Sequence, residues 1–383
     1  MPCFILLSFS ISFGMLSLFP ARSTWPEFLT SDLLQGLKAP LACRHPNDTL
    51  TDKKTMTHSK QTVPKAISVL LICCALFFLP RPGLAKEPAG TLIIFHAGSL
   101  SIPFAEISRA FEKKYPGVRV LREAAGSRTC ARKITDLGKP CDIMASADYT
   151  VIDNLLIPDH ADWNIAFASN EMAIMHRPDS KFAHEINGNN WPEILLRKGV
   201  NYGHSDPDSD PCGYRSLLTW QLAEKYYQLP GLYKKLQTNC PARNIRPKET
   251  DLIALLESGE LDYLFIYRSI CEQHHMPFVV LPDQINLKSS RHADFYQQAR
   301  VKISGKKPGE QIVKKGKPMV YGITICTNAP NQEAAIAFVR FLLSPAGRAI
   351  MAANGQPPIW PVRISGNGTK LPAGLKKILS ARE

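Results

Sequence analysis

The sequence has no run of five to eight basic residues and no basic stripe interleaved with aromatic side chains. Nucleic-acid grooves need such patterns, so the 46 basic and 33 acidic residues, a net charge of +13, indicate a dispersed basic surface. Internal repeats and low-complexity stretches are absent as well. The 383 residues are 45% hydrophobic and 21% charged, which is typical of a globular protein long enough for two lobes.

Enzyme signatures are also missing from the sequence. It contains no Ser-His-Asp arrangement, P-loop, Gly-x-Gly-x-x-Gly string or His-Glu-x-x-His string. Cys212 with a distant histidine leaves a secreted hydrolase open as an alternative, but no local motif supports a nucleophile there. The adjacent His274 and His275 would not face one another on a helix, so they do not indicate a metal site. These absences favour a binding protein over an enzyme.

Residues 56–85 have the three parts of a secretory signal peptide. Two lysines form a positive flank, Ala66 to Leu79 form an apolar run, and small residues follow for cleavage. The run is shorter than the ~20 residues of a membrane span, although an uncleaved or lipid anchor stays open. Residues 1–55 show no sustained periodicity, and we interpret them as an extension from a start codon assigned too early. We therefore expect an exported, periplasmic or extracytoplasmic protein.

Removal of residues 1–85 leaves 38 basic and 29 acidic side chains, a balance of +9, together with six cysteines. An even number of cysteines permits disulfides in an exported protein but does not fix their pairing. No spacing among them indicates zinc. The six are Cys130, Cys141, Cys212, Cys240, Cys271 and Cys326.

Strand and helix patterns alternate through the rest of the chain, which predicts an α/β protein with a parallel sheet. The lobes are expected at 90–167 with 320–375, and at 168–319. Strands are predicted at 91–98, 118–121, 141–145, 171–176, 200–203, 262–267 and 319–326. Helices are predicted at 99–115, 127–137, 149–156, 191–197, 214–227, 250–257 and 332–354, the last interrupted at Ser344-Pro345.

Two predicted helices begin with small and hydroxyl residues, at Gly98-Ser99 and at Gly126-Ser127. The end of a strand followed by a helix start is where open α/β sheets bind ligands, and the free N–H groups there suit an anion. Each serine alone is explained as well by helix capping. Two such turns in one lobe could converge on a single oxyanion.

Acidic residues precede two helices of the second predicted lobe. Asp210 is the last of three aspartates in Ser205 to Arg215, and Glu249 precedes the predicted helix at 250–257. Both could simply favour a helix N-terminus by charge, and the sequence disfavours an EF-hand because Gly213 is outside the required slot and the terminal glutamate is absent. Tyr267 ends a buried strand, where a phenol is usually a core ring.

Six strings occur in one order along the chain: FHAGSL, EAAGS, DIMASADYTVIDNLL, DPCGYRSL, LLESGELDYLFIYRS and VYGITI. Together they make residues 91–361 resemble the tungstate- and molybdate-binding proteins of ABC transporters. The resemblance implies a two-lobed fold of the type II periplasmic-binding-protein kind, with a ligand cleft between the lobes. It also implies delivery of the oxyanion to a membrane permease and its ATPase, with no cofactor, and we expect a monomer without a nucleic-acid partner.

The resemblance assigns ligand-binding roles by position. It implies oxo-group contacts from the two turns, and it implies that the carboxylates of Asp210 and Glu249 approach the tungsten or molybdenum itself. The oxyanion-binding residues implied are Gly98, Ser99, Ser127, Asp210, Pro211, Cys212, Glu249 and Tyr267. A receptor for another anion or for a ferric complex stays an alternative because one fold serves many ligands.

Overall fold

A computed structural model describes residues 87–380 of the chain. The signal peptide predicted at 56–85 and the extension at 1–55 lie outside these residues. In the described part, no single helix is long and apolar enough to cross a membrane. The helix pair Gln332–Leu343 and Pro345–Ala353 meets that test only together, and it is bent by 65°.

Thirteen strands and twelve α-helices lie in residues 87–380. The strands are β1 Gly90–Ala97, β2 Val118–Ala125, β3 Ile143–Ser146, β4 Trp163–Ser169, β5 Met172–His176, β6 Tyr202–Ser205, β7 Ile245–Arg246, β8 Tyr263–Tyr267, β9 Phe278–Val280, β10 Arg300–Ser304, β11 Gln311–Lys315, β12 Val320–Ile325 and β13 Pro358–Gly366. The helices are α1 Ser101–Lys114, α2 Ser127–Thr135, α3 Tyr149–Val151, α4 Trp191–Leu195, α5 Pro211–Tyr226, α6 Leu232–Asn239, α7 Ile253–Glu257, α8 Arg268–Gln273, α9 Ala293–Tyr296, α10 Gln332–Leu343, α11 Pro345–Ala353 and α12 Ala373–Ser380.

Two sheets organise the described residues. The first lobe is built on a six-stranded sheet of order β13-β4-β12-β3-β1-β2, and the second on a five-stranded sheet of order β7-β6-β8-β5-β9. In the first sheet β1 pairs in parallel with β2 and β3, as expected. The pairs that involve β4, β12 and β13 are antiparallel, so the predicted parallel strands form part of a mixed sheet. Strands β10 and β11 form a separate antiparallel hairpin.

The chain crosses from the first sheet to the second over two residues. Strand β4 ends at Ser169 and β5 begins at Met172, so Asn170 and Glu171 make the crossing. The chain returns through β12, which lies between β3 and β4 in the first sheet. Residues of both crossings are therefore close to the facing ends of the two lobes. The lobe boundaries expected from the sequence remain a prediction.

Aromatic packing holds the first helix against the first sheet. Phe104 and Phe111 lie on one face of α1, and their ring centroids are 5.9 Å and 5.2 Å from that of Phe338 in α10. Burial of such rings stabilises the lobe. Because α1 and β1 are both fixed in this core, the turn that joins them at Gly98 is held in place.

Two helices begin differently from the prediction. The helix expected from residue 214 begins at Pro211, because proline at a first helical position loses no hydrogen bond and its fixed φ suits the helix. The helix expected at 250–257 starts as a 3₁₀ turn, Glu249–Leu252, and becomes α-helical only at Ile253. The predicted break at Ser344-Pro345 is present, since Ser344 caps α11 and accepts a hydrogen bond from the Gly347 amide.

Candidate functional site

The first predicted turn lies at the carboxyl end of β1. Gly98 and Ser99 form a 3₁₀ turn that leads into α1, and both residues are buried. A Cβ atom built on Gly98 would lie 2.8 Å from Oε2 and 2.9 Å from Oε1 of Glu249. Only a glycine leaves room for that approach. The first and second lobes therefore meet at this turn.

The second predicted turn faces the same part of the second lobe. Ser127 begins α2, and its Oγ accepts a hydrogen bond of 3.0 Å from the Ala147 amide. The next two amides of α2, those of Arg128 and Thr129, both donate to the Ser209 carbonyl at 3.2 Å. The positive end of this helix is thus engaged by the residue that precedes Asp210.

Asp210 is the N-cap of α5, as its position in the sequence predicted. Its Oδ1 accepts from the Cys212 amide at 3.3 Å, and its Oδ2 accepts from the Glu249 amide at 3.1 Å. Pro211 has no amide hydrogen to satisfy at the first helical position. Burial raises the pKa of Asp210, against the lowering effect of the amides that contact it. The Asp210 carboxyl group therefore caps its own helix and also holds the backbone of Glu249.

Glu249 is completely buried, and neither carboxylate oxygen has a hydrogen-bond partner of acceptable geometry in the described residues. Burial raises its pKa well above the ordinary value, and the nearby Asp210 carboxyl raises it further. Two like charges this close do not both ionise easily, so burial and the neighbouring carboxyl group act in the same direction on the Glu249 pKa. A buried carboxylate without a donor is costly, and such a group points to a ligand that it meets when bound.

Cys212 and Tyr267 are also part of this buried region. The Cys212 thiol points to the Phe265 carbonyl, and burial with the neighbouring Asp210 and Glu249 raises the thiol pKa well above its ordinary value. Because the thiolate is the nucleophile, this environment speaks against the hydrolase alternative. The Tyr267 hydroxyl accepts a hydrogen bond of 2.9 Å from Arg215 Nη1.

Arg215 connects the second lobe to the first. The same Nη1 atom donates to the Ala147 carbonyl at 2.8 Å, and the amide of Ala147 is the group that contacts Ser127. Asp148 follows Ala147 in the chain. Its Oδ2 accepts from the Tyr214 hydroxyl at 2.6 Å and lies 3.4 Å from Lys314 Nζ. Burial raises the pKa of Asp148, but the positive charges of Lys314, Lys317 and Arg215 outweigh it and hold the pKa well below its usual range.

A buried tyrosine completes the surroundings of Ser99. Tyr321, in β12, donates to Ser99 Oγ at 2.9 Å, and it accepts from Asn170 Nδ2 at 3.0 Å. Gln356 donates to the Ser99 carbonyl at 2.7 Å. The rings of Tyr267 and Tyr321 lie edge to face, 6.3 Å apart.

The eight residues predicted for the site thus lie in one buried region where the lobes meet. Sequence reasoning missed Arg215, Tyr321, Asn170 and the Ala147-Asp148 pair. Arg215, Tyr321 and Asp148 do occur in the strings DPCGYRSL, VYGITI and DIMASADYTVIDNLL. Nothing in those strings alone shows that they contact the two turns.

Metal-ion clusters and disulfides are not found within residues 87–380. No group of three or more His, Cys, Asp and Glu side chains in that part of the chain could hold a metal ion. The six cysteines there are all buried free thiols.

Residues 92–356 match the family model of bacterial extracellular solute-binding proteins. The chain belongs to this family. A solute-binding protein of Petrotoga mobilis is 61% identical over 278 residues, which cover 73% of this chain and 87% of that protein. The molybdate/tungstate-binding protein WtpA of Pyrococcus abyssi is 43% identical over 324 residues, which cover 78% of this chain and 92% of that protein. The resemblance noted in the sequence is confirmed by these relatives.

Solved structures of other binding proteins share the fold of this chain. The periplasmic molybdate-binding protein of Azotobacter vinelandii aligns with a TM-score of 0.52 at 17% identity, covering 70% of this chain and 99% of that one. The sulfate-binding protein SubI of Mycobacterium tuberculosis aligns with a TM-score of 0.51 at 16% identity, covering 71% and 88%. At this identity the likeness concerns the fold alone, and it confirms the predicted periplasmic-binding-protein-like architecture.

Proposed function

We propose that this solute-binding protein captures tungstate and molybdate outside the cytoplasm and delivers them to the permease and ATPase of an ABC transporter. The observation that carries the proposal is the buried carboxyl pair of Asp210 and Glu249, next to Gly98, in which no hydrogen-bond partner among residues 87–380 contacts either oxygen of Glu249. The names of relatives such as WtpA support the same ligands.

The chemistry of the pair accounts for a choice of oxyanion. Carboxylates repel the oxo groups of any anion, but they suit the hard, high-valent metal at the centre of tungstate or molybdate. Asp210 and Glu249 would raise the coordination of that metal from four towards six. Sulfur in sulfate does not expand its coordination in this way, so a site of this kind discriminates against sulfate.

Neutral donors complete the proposed site. The amides of the Gly98 turn and the hydroxyls of Ser99 and Ser127 would contact the oxo groups, as fixed dipoles hold anions elsewhere. Pro211, Cys212 and Tyr267 would shape the wall on the side of the second lobe. No lysine or arginine needs to touch the ligand.

Export, oligomeric state and the lack of catalysis belong to the same proposed function. We expect a monomeric carrier without catalytic activity or resident cofactor, exported by the signal at 56–85 and then free or anchored at the membrane. The buried, high-pKa thiol of Cys212 supports the absence of a cysteine nucleophile.

Calorimetric titration of the purified protein with tungstate, molybdate, sulfate and phosphate tests the proposal. We expect tight one-to-one binding of the first two anions and little heat from the others. Asp210→Asn keeps an N-cap side chain but removes the charge, so it should weaken tungstate binding about 10- to 100-fold. Asp136→Asn, at an exposed position, is the matched control. No heat from any anion would reject these ligands.

A further inference from the structure

A directed chain of buried hydrogen bonds ends at Ser99, one of the residues proposed to bind the ligand. Asn170 Nδ2 donates to the Tyr321 hydroxyl at 3.0 Å, and the Tyr321 hydroxyl donates to Ser99 Oγ at 2.9 Å. All three side chains are buried. The chain joins the crossing between the lobes to the first turn of the site.

The direction of this chain follows from the fixed orientation of Asn170. Its Oδ1 accepts from the amides of Glu171 at 2.9 Å and Ser269 at 3.4 Å, and backbone amides can only donate. The side-chain nitrogen therefore faces Tyr321 and the Ser269 hydroxyl, which it contacts at 2.7 Å. Since that nitrogen also only donates, the Tyr321 oxygen must accept, and the tyrosine proton goes to Ser99.

The hydroxyl proton of Ser99 is consequently not used in this chain of hydrogen bonds. A serine hydroxyl has one proton to donate, and Ser99 Oγ already accepts from Tyr321. Among the described residues, no acceptor receives the Ser99 proton. The proton is thus free for a group that enters the site between the lobes.

The Ser127 hydroxyl also accepts one hydrogen bond and keeps its own proton, but its donor is a backbone amide. Its Oγ accepts from the Ala147 amide at 3.0 Å, and no described residue accepts its proton. The Ala147 peptide is itself held from the other side, because its carbonyl accepts from Arg215. Both turns therefore present a hydroxyl whose oxygen is occupied and whose proton is available. An oxyanion without protons offers only acceptors, so it fits such a pair.

We propose that Tyr321, oriented by Asn170, is a positioning residue that keeps the Ser99 hydroxyl as a donor to the bound oxyanion. This inference rests on the proposed function and adds a specific role for residues of the interlobe crossings. Without the phenol, the Ser99 hydroxyl is free to rotate, and its oxygen no longer has the donor that leaves its proton for the site. The ligand then loses a fixed donor, while Asn170 keeps its hydrogen bond to Ser269.

A double-mutant cycle with tungstate tests the role of Tyr321. Dissociation constants are measured by calorimetry for the wild type, Tyr321→Phe, Ser99→Ala and the double variant. We expect Tyr321→Phe to weaken binding about tenfold when Ser99 is present, and less than about twofold in the Ser99→Ala background. Tyr202→Phe is the control, since this buried hydroxyl donates to the Leu236 carbonyl away from the site; it should leave the affinity unchanged.

Asn170→Asp provides a second variant in case Tyr321→Phe folds poorly. A carboxylate only accepts, so it would draw the Tyr321 proton towards itself and reverse the chain while keeping every ring atom. Its affinity loss should also shrink in the Ser99→Ala background, whereas an effect of the added charge alone would persist there. Equal losses in both backgrounds for either variant would overturn the inference. A wild-type protein that does not bind tungstate would instead overturn the proposed function, and the inference with it.

Discussion

Glu249 is the residue whose placement is hardest to explain without a ligand. A fully buried carboxyl group without a hydrogen-bond partner destabilises a folded protein; Glu249 has none within the described part of the chain, and a second carboxyl group adds to the cost. Binding sites commonly retain such groups because the ligand supplies the missing partner. The raised pKa of Glu249 is the measurable sign of this cost in the ligand-free protein.

Glu249→Gln should therefore stabilise the ligand-free protein and weaken tungstate binding. A carboxyl whose folded pKa is raised contributes stability that is present below its unfolded pKa of about 4.3 and is lost as pH rises through the folded pKa. We expect the Tm of the wild type to fall relative to that of Glu249→Gln as pH increases from 5 to 8.

Thermal unfolding of both proteins across this pH range, without ligand, checks the expectation. Glu260→Gln, at an exposed position, is the control and should follow the wild type. A difference in Tm between wild type and Glu249→Gln that stays constant with pH would contradict a raised pKa at this carboxyl group.

At the scale of elements, α5 and the β10–β11 hairpin of the second lobe hold the first lobe through buried polar contacts. Tyr214 and Lys314 both reach Asp148, and Lys314 Nζ also donates to Thr150 Oγ1 at 2.7 Å. In the opposite direction, Arg128 of α2 donates to the carbonyl groups of Asp208 and Ser304. These contacts join segments far apart in sequence and lie beside both turns of the site.

Asp148→Asn should destabilise the protein by about 3–5 kcal/mol, because it leaves the buried Lys314 charge without its partner. Tyr214→Phe removes only one hydrogen bond and should cost about 1–2 kcal/mol. The pKa of Asp148 is lowered, so its stabilising contribution is present above the unfolded value of about 3.9 and is lost as pH falls through the folded value.

Denaturant unfolding at pH 7 and at a pH well below the unfolded value of about 3.9 measures both effects. The gap in unfolding free energy between wild type and Asp148→Asn should narrow in acid. Asp136→Asn serves as the exposed control. If Asp148→Asn costs no more than this control at pH 7, the buried ion pair does not contribute as described.

Periodicity in the sequence was enough to predict the elements that carry the first turn. The apolar run of β1 and the helical spacing of α1 were local signals, and the break before α11 followed from Ser344-Pro345. Strands β4, β7, β9 and β13 and the β10–β11 hairpin were missed. Strand β13 contains Pro358 and Pro361, which an edge strand tolerates, and β11 ends in two lysines.

The candidate site was predictable only in part, because several of its contacts join residues far apart in the sequence. Asp210 gave a local capping signal, and the structure places it at the N-cap of α5. The hydrogen bond from Tyr321 to Ser99 joins residues 222 positions apart, and no local pattern encodes it. The burial of Glu249 also depends on the first lobe, through Gly98. Contacts of this kind follow from the tertiary fold and not from segment propensity.

For the whole molecule, two lobes that meet at a buried polar site should be stabilised together by a ligand that contacts both. A ligand at 100 times its Kd adds about 2.7 kcal/mol to the unfolding free energy by mass action. For about 300 folded residues, with an unfolding entropy of about 2.1 cal/mol/K per residue, that corresponds to a rise in Tm of roughly 4 °C.

Thermal unfolding with saturating tungstate, molybdate or sulfate checks this expectation. The first two anions should raise the Tm of the wild type, and sulfate at the same concentration should not. In Asp210→Asn the rise with tungstate should shrink. An equal rise with all three anions would indicate general salt stabilisation and would contradict a selective site.

The central claim is that Asp210 and Glu249 coordinate the metal of the bound oxyanion. X-ray absorption spectroscopy at the tungsten edge of the purified complex tests it most directly, because it counts the oxygen neighbours of the metal. We predict six oxygen neighbours in the wild-type complex and fewer in Glu249→Gln. Tungsten with four oxygen neighbours in the wild-type complex would contradict the claim.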